Sequence, residues 1–297
     1  MKITVLIENT KKEDKFIEEF GLSFYIEAGD KKILMDTGSS DNFLKNAEIM
    51  GINPEYIDYA IISHGHYDHG GGISDVMNIN NKARLYIHKK AFGDYYGNIG
   101  AKLPFIVNSF TFPFINKSKK FSKYIGLDKK ILKKYGRRIE FIEKFTQIDD
   151  NIFILTDICK KYPLAAGNKF LLVKKDNELE QDDFIHEIML VIKEKDRLVL
   201  FSGCCHNGIL NMIETVKKFK NESIKAVIGG FHLKINPYKN DIAGDVKDIE
   251  FIGEGLLKEN ISEIYTGHCT GDKAYEILSQ ILKGRIKKLY TGRVIEL

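Results

Sequence analysis

The chain has 297 residues, 43% of them hydrophobic and 29% charged, and carries a net charge of +4. This is the composition of an ordinary globular protein with apolar material for a sizeable core, and so small an excess of charge calls for no nucleic-acid partner. The four cysteines (Cys159, Cys204, Cys205 and Cys269) are too few for a disulfide framework, and two are adjacent, where a mutual bridge is strained.

A reducing, cytoplasmic setting is therefore expected. The apolar stretch after Met1 ends at Glu8, which leaves neither a signal peptide nor a membrane span at this end.

Ile3–Ile7 is apolar throughout and predicts a first strand. Phe16, Ile17 and Phe20 stand at helical spacing in the charged stretch Lys11–Phe20, which predicts a short surface helix closed by Gly21. Leu22–Glu27 and Lys31–Met35 read as a hairpin around Gly29-Asp30. It ends at Asp36-Thr37-Gly38. A helix over Asp41–Met50 follows, capped by Asp41 and stopped by Gly51.

Tyr59–Ile62 then delivers Ser63-His64-Gly65-His66-Tyr67-Asp68-His69-Gly70-Gly71-Gly72. A loop so dense in imidazole is poor core material, because each ring brings a polar nitrogen that must be satisfied. Convergence on a metal solves the problem, since neutral imidazole and carboxylate suit zinc, iron or manganese. A helix from Ile73 and a strand over Ala83–Ile87 come next, and His88 at the strand end reads as a satisfied or surface residue.

Residues 94–146 break the rhythm. Phe105, Phe110, Phe112, Phe114, Phe121 and Tyr124 are interleaved with basic residues. Between 117 and 138 there are ten lysines and arginines against one acid, Asp128. The segment reads as an insertion that covers the histidine loop and attracts an anion; a solvated lysine-rich helical pair is the plainer alternative.

Strands resume at Ile152–Leu155 and Phe170–Val173. A hairpin follows from Glu187–Lys193 and Arg197–Phe201. Its second arm runs into Gly203-Cys204-Cys205-His206, and a helix over Ile209–Phe219 comes after it. The strand Ile224–Ile228 ends in Gly229-Gly230-Phe231-His232. A helix over Asp245–Lys258 leads to Glu263–Tyr265, which ends in Thr266-Gly267-His268-Cys269. A helix and a short strand close the chain. Four strands thus end in glycine plus histidine, and strand ends on one sheet edge line a common crevice.

The pattern H-x-H-x-D-H behind an apolar strand, read here as His64, His66, Asp68 and His69, resembles the metallo-β-lactamase superfamily. The resemblance implies an α/β fold, an αββα sandwich in a single domain over residues 1–297. It also implies one or two divalent ions, zinc first and manganese or iron as alternatives. His64 and His66 would hold one ion, and Asp68 and His69 the other. Asp36-Thr37-Gly38 resembles the D-T-G beneath that loop, which implies that Asp36 orients a ligand histidine; an Asx-type turn accounts for it equally well. His268 matches the superfamily's last ligand. Where a bridging aspartate is expected after Gly203, the chain has Cys204, and His206 is the preferred ligand there. His186 is a positional candidate for a further one.

Gly-Cys-Cys-His, Gly-Gly-Phe-His-Leu and Thr-Gly-His-Cys-Thr-Gly narrow the resemblance. They point to the branch of metal-dependent hydrolases related to the methanopterin-pathway enzyme that joins a dihydropterin to ribofuranosyl-aminobenzene 5′-phosphate. Phe231 and His232 would then contact substrate, with Asp68 and His232 catalytic. The implied activity is hydrolysis of an anionic, phosphorylated small molecule by a metal-bound hydroxide. Transfer to an aromatic acceptor is the alternative. A non-catalytic sensor that holds a ligand in a metal-lined pocket is the reading from another class.

Overall fold

The structure is a computed structural model that describes residues 1–98, 122–220, 222–235 and 241–297. Three apolar clusters define its layers. One is shared between two facing seven-stranded sheets and includes Ile3, Val5, Phe24 and Ile61 from the first and Leu190, Val199, Phe201 and Ile228 from the second. A second cluster lies between the first sheet and its helices, and the third between the second sheet and its helices. The order is therefore helix, sheet, sheet, helix. Strands buried on both faces read as continuous apolar runs, and for that reason Tyr59–Ile62 and Arg197–Phe201 were legible as strands without alternation.

The first sheet runs β18-β1-β2-β3-β4-β5-β8, built from β1 (Lys2–Ile7), β2 (Ser23–Ala28), β3 (Lys31–Met35), β4 (Tyr59–Ile62), β5 (Arg84–His88), β8 (Ile139–Ile142) and β18 (Val294–Glu296). The second runs β17-β16-β15-β14-β13-β10-β9, from β9 (Thr146–Asp149), β10 (Ile152–Leu155), β13 (Met189–Glu194), β14 (Arg197–Phe201), β15 (Ile224–Gly229), β16 (Glu263–Thr266) and β17 (Ile286–Lys288). A smaller sheet runs β12-β11-β6-β7, from β6 (Tyr95–Asn98), β7 (Ser122–Tyr124), β11 (Leu171–Lys175) and β12 (Glu178–Gln181). The helices are α1 (Asn42–Ile49), α2 (Tyr67–Gly70), α3 (Ile73–Ile79), α4 (Lys130–Tyr135), α5 (Ile209–Phe219), α6 (Val246–Lys258) and α7 (Asp272–Leu282). On α5, Ile209, Met212, Ile213 and Val216 form the buried stripe. On α6, Asp245 caps through the amides of Lys247 and Asp248.

The parallel runs position the site. β3, β4, β5 and β8 are mutually parallel, as are β14, β15, β16 and β17. Their carboxyl ends emerge at one edge of the sandwich, carrying Asp36, the histidine loop, Cys204, His232 and His268.

Three expectations need correction. Lys11–Phe20 forms no helix, because its backbone is bound elsewhere. Asn46 accepts from the Ile17 amide at 2.9 Å and donates to the Ile17 carbonyl at 2.8 Å, while Phe16 is buried. Asp41 sits at the start of α1 without a side-chain cap, its carboxylate taken by Lys45 at 3.0 Å. The insertion boundary of 146 runs too far: β8 pairs with β5 in the first sheet and β9 with β10 in the second, with Ile139 and Ile142 buried. Phe105, Phe110, Phe112, Phe114 and Phe121 lie outside the described residues. No described helix is long and apolar enough to cross a membrane.

Candidate metal centre

Asp36 joins the loops. Its Oδ1 accepts from the Ser63 amide at 2.7 Å, and its Oδ2 from the Ser63 hydroxyl at 2.8 Å. The same Oδ2 lies 2.6 Å from His69 Nδ1. The expected orienting role is thus filled, and the Asx-type turn is not: the carboxylate bonds Ser63 and His69, while the Gly38 amide donates to the Leu22 carbonyl. Gly203 has to be glycine here, since a Cβ would press into the Ser63 hydroxyl and stand 3.1 Å from Asp36 Oδ2.

The histidines face one another in an arrangement that asks for a cation. His69 gives Nδ1 to Asp36. His268 holds Nδ1 at 2.9 Å from Asn9 Oδ1, whose own amide nitrogen binds the His268 carbonyl. Both rings therefore carry their proton on Nδ1, which leaves bare lone pairs on the two Nε2 atoms, 3.2 Å apart. Asp68 Oδ2 closes on the same point, 3.6 Å from His69 Nε2 and 3.3 Å from His268 Nε2. Burial disfavours a charged His69, yet Asp36 and Asp68 outweigh it and raise its pKa to about 9. A positive charge is wanted there, and a divalent metal would supply it in place of a proton.

A second group lies alongside. His64 Nε2 is 3.1 Å from His66 Nδ1, and His64 Nδ1 is held 2.9 Å from the Ser63 hydroxyl. His206 Nδ1 lies 3.1 Å from Asn168 Oδ1, so its buried Nε2 is bare and has no partner among the described residues. Burial, then neighbouring histidines, push His64 and His206 well below the usual range, which keeps them neutral as ligands must be. The chemistry of the donor set fits divalent metal in both groups.

Cys204 was the less favoured residue after Gly203, but the structure brings it in as closely as His206. Its Sγ is 3.1 Å from His69 Nε2. It falls within one cluster with Asp68, His69 and His268 and within another with His64 and His206.

His186 keeps both nitrogens for the frame: it accepts from the Gly65 amide at 3.0 Å and pairs with Asp182 at 3.0 Å. His88, as expected, is satisfied, accepting from the Lys90 amide at 3.1 Å.

His232 and Phe231 part company. Phe231 is 1% exposed and packs in the cluster behind the second sheet, so its expected substrate contact is withdrawn. His232 lies 4.2 Å from His206, ring to ring, and neither ring nitrogen has a partner among the described residues. Its φ is 50°, and Asp36, Cys205 and His268 are also left-handed, at 59°, 63° and 51°. Such backbone persists where the surroundings over-determine it, often at functional sites.

His66, Asp68, Cys204, His206, His232 and Cys269 form the floor of a cavity of about 220 Å³, whose walls include Phe20, Tyr67, Ile125, Phe170, Ile235 and Lys123.

Several positioning residues carried no motif. Glu187 accepts from the His206 and Asn207 amides at 2.7 and 2.8 Å, and Glu8 from the His268 amide at 2.6 Å. Asn9, Asn168 and Asp182 act in the same way. Of these only Asp182 and His186, four residues apart, left a trace in local spacing.

A family model described as the metallo-beta-lactamase superfamily matches residues 17–95. The uncharacterized protein MJ0448 of Methanocaldococcus jannaschii is 32% identical over 288 residues, 94% of this chain and 94% of its own length. The 7,8-dihydropterin-6-methyl-4-(beta-D-ribofuranosyl)-aminobenzene-5'-phosphate synthase of the same organism is 31% identical over 291 residues, 95% of this chain and 91% of its own. Among solved structures, Tm1679, described as a metal-dependent hydrolase of the beta-lactamase superfamily, is 30% identical. Its match covers 100% of this chain and 99% of that one, with a TM-score of 0.78.

Proposed function

The chain belongs to the metallo-β-lactamase superfamily, and from that premise we propose that it is a metal-dependent hydrolase of an anionic, phosphorylated small molecule. The observation that carries the reading is the pair of imidazole lone pairs facing each other at 3.2 Å beside Asp68, whose carboxylate lines a largely apolar cavity. His64, His66 and His206 would hold one divalent ion, and Asp68, His69 and His268 the other. Bound there, the metals would act as Lewis acids and lower the pKa of water.

The remaining roles fall to the chain itself. Asp68 presents a buried carboxylate that accepts a proton or orients the attacking group. His232, which lines the cavity and whose two ring nitrogens have no partner among the described residues, donates a proton to the leaving group or holds its developing charge. Phe20, Tyr67 and Phe170 offer faces for a flat substrate and exclude water. Lys123 at the same wall draws in an anion.

The transferase reading stays beside it, because a synthase is 31% identical over 95% of the chain. A panel of phosphorylated substrates, assayed with and without an aromatic amine acceptor, separates the two. Phosphate release without acceptor supports the hydrolase. Turnover only with acceptor supports the transferase, and no turnover with the metal-loaded protein contradicts both. A rise of KM with salt, or in Lys123→Ala, is expected from screening and loss of the cation.

A further inference from the structure

What joins the two metal positions is the remaining question, and the answer rests on reading the site as a two-metal centre. We propose that the thiolate of Cys204 is a ligand to both metals. Its Sγ is the one donor common to the two clusters, Asp68 with His69 and His268, and His64 with His206, among the described residues; in each cluster all donor atoms lie within 4.8 Å of one another.

The buried carboxylates nearby are committed elsewhere. Asp36 is bound by Ser63 and His69. Glu187 is bound by the amides of His206 and Asn207, and Asp182 by the Phe184 amide and His186. Glu8 is bound by the His268 amide and Thr10. Asp68 reaches one cluster alone.

The other sulfurs are placed differently. Cys205 turns away into the core, its Sγ 3.1 Å from Met212 Sδ. Cys269 clusters with Cys204 and His232 and with neither histidine group, and it accepts from the His232 amide at 3.3 Å. Cys204 is fixed, 3% exposed and set behind Gly203, whose carbonyl accepts from the Gly230 amide at 2.8 Å.

On binding, the thiol proton leaves to solvent and two sulfur–metal bonds form through separate lone pairs. A thiolate in that position favours zinc or cadmium over manganese or magnesium.

Cadmium-113 NMR of the full chain tests this with the metal alone, since a sulfur ligand moves the cadmium resonance far downfield of a nitrogen and oxygen site. Two sulfur-shifted resonances are expected, both retained in Cys269→Ser and both lost in Cys204→Ser. If Cys204→Ser fails to fold, Cys204→Asp keeps the test open: it should bind two cadmium ions with both resonances at oxygen and nitrogen positions. Two bound ions with one sulfur-shifted resonance, or none, would overturn the bridge and leave the two-metal reading intact. Failure to bind cadmium at all would overturn both.

Discussion

The Asp36 carboxylate stands 2.6 Å from Nδ1 of His69, and with the same oxygen takes the Ser63 hydroxyl at 2.8 Å. One side chain at the end of a strand of the first sheet thus sets the tautomer of a candidate metal ligand and ties down the start of the histidine loop. Such partners govern metal affinity nearly as strongly as ligands do. Asp36→Asn should weaken one of two metal-binding steps by about 10- to 100-fold and leave the other near the parent value. Stepwise zinc titration by calorimetry reads both. Two unchanged affinities would remove Asp36 from the account.

Gly203→Ala tests the close approach of the two sheets' loops. The added Cβ would press into the Ser63 hydroxyl, with no flexible chain end to yield. A cost of about 1–3 kcal/mol, as for other overpacked sites, should appear in denaturant unfolding together with weakened metal binding. Unchanged stability would mean that the loops have more room than their geometry indicates.

His186→Ala separates frame from ligand. The substitution strips the Gly65 amide and Asp182 of a buried partner, a loss of about 1–3 kcal/mol for each group left unsatisfied. Thermal unfolding should fall while the folded variant still takes up the parental amount of metal. Loss of metal with stability preserved would make His186 a ligand.

The metal-free protein should have opposing pH dependences. Burial, then His186, lower His66 from 6.5 to about 3. The unfolded chain therefore holds more protons in that window, and this contribution to stability is lost as pH falls from 6.5 toward 3. His69 runs the other way. Burial opposes its charge, but Asp36 and Asp68 raise it to about 9, so its contribution is complete below 6.5 and is lost as pH rises through 9. The Tm of the metal-free protein should decline on both sides of neutrality. Zinc should remove the alkaline decline by replacing the His69 proton. A metal-free Tm that climbs steadily from pH 7 to 9.5 would contradict this assignment.

Much of this arrangement was legible in the sequence because the fold buries strands on both faces and repeats one event at their ends. Tyr59–Ile62, Leu198–Phe201 and Ala226–Ile228 are unbroken apolar runs, each followed by glycine and a metal-type side chain. The role of Asp36 was legible for the same reason, as it closes a strand parallel to the one carrying His64.

What escaped depends on contacts distant in sequence. Lys11–Phe20 has helical spacing, but Asn46, some thirty residues on, takes over its backbone. Phe231 looked equivalent to His232 in the motif, but past the end of its strand it packs into the core behind the second sheet. Cys204 looked like a weaker substitute for His206, since nothing in the local pattern reveals that its sulfur reaches both histidine groups.

Elemental analysis of the protein purified with zinc, iron and manganese all supplied decides whether the chain holds a two-metal centre. Two equivalents of metal per chain are expected for the parent, falling to one or fewer in His66→Ala, since the loop offers the remaining His64 no substitute nitrogen. A parent protein that binds no metal under those conditions, or a His66→Ala variant that retains both equivalents, would contradict it.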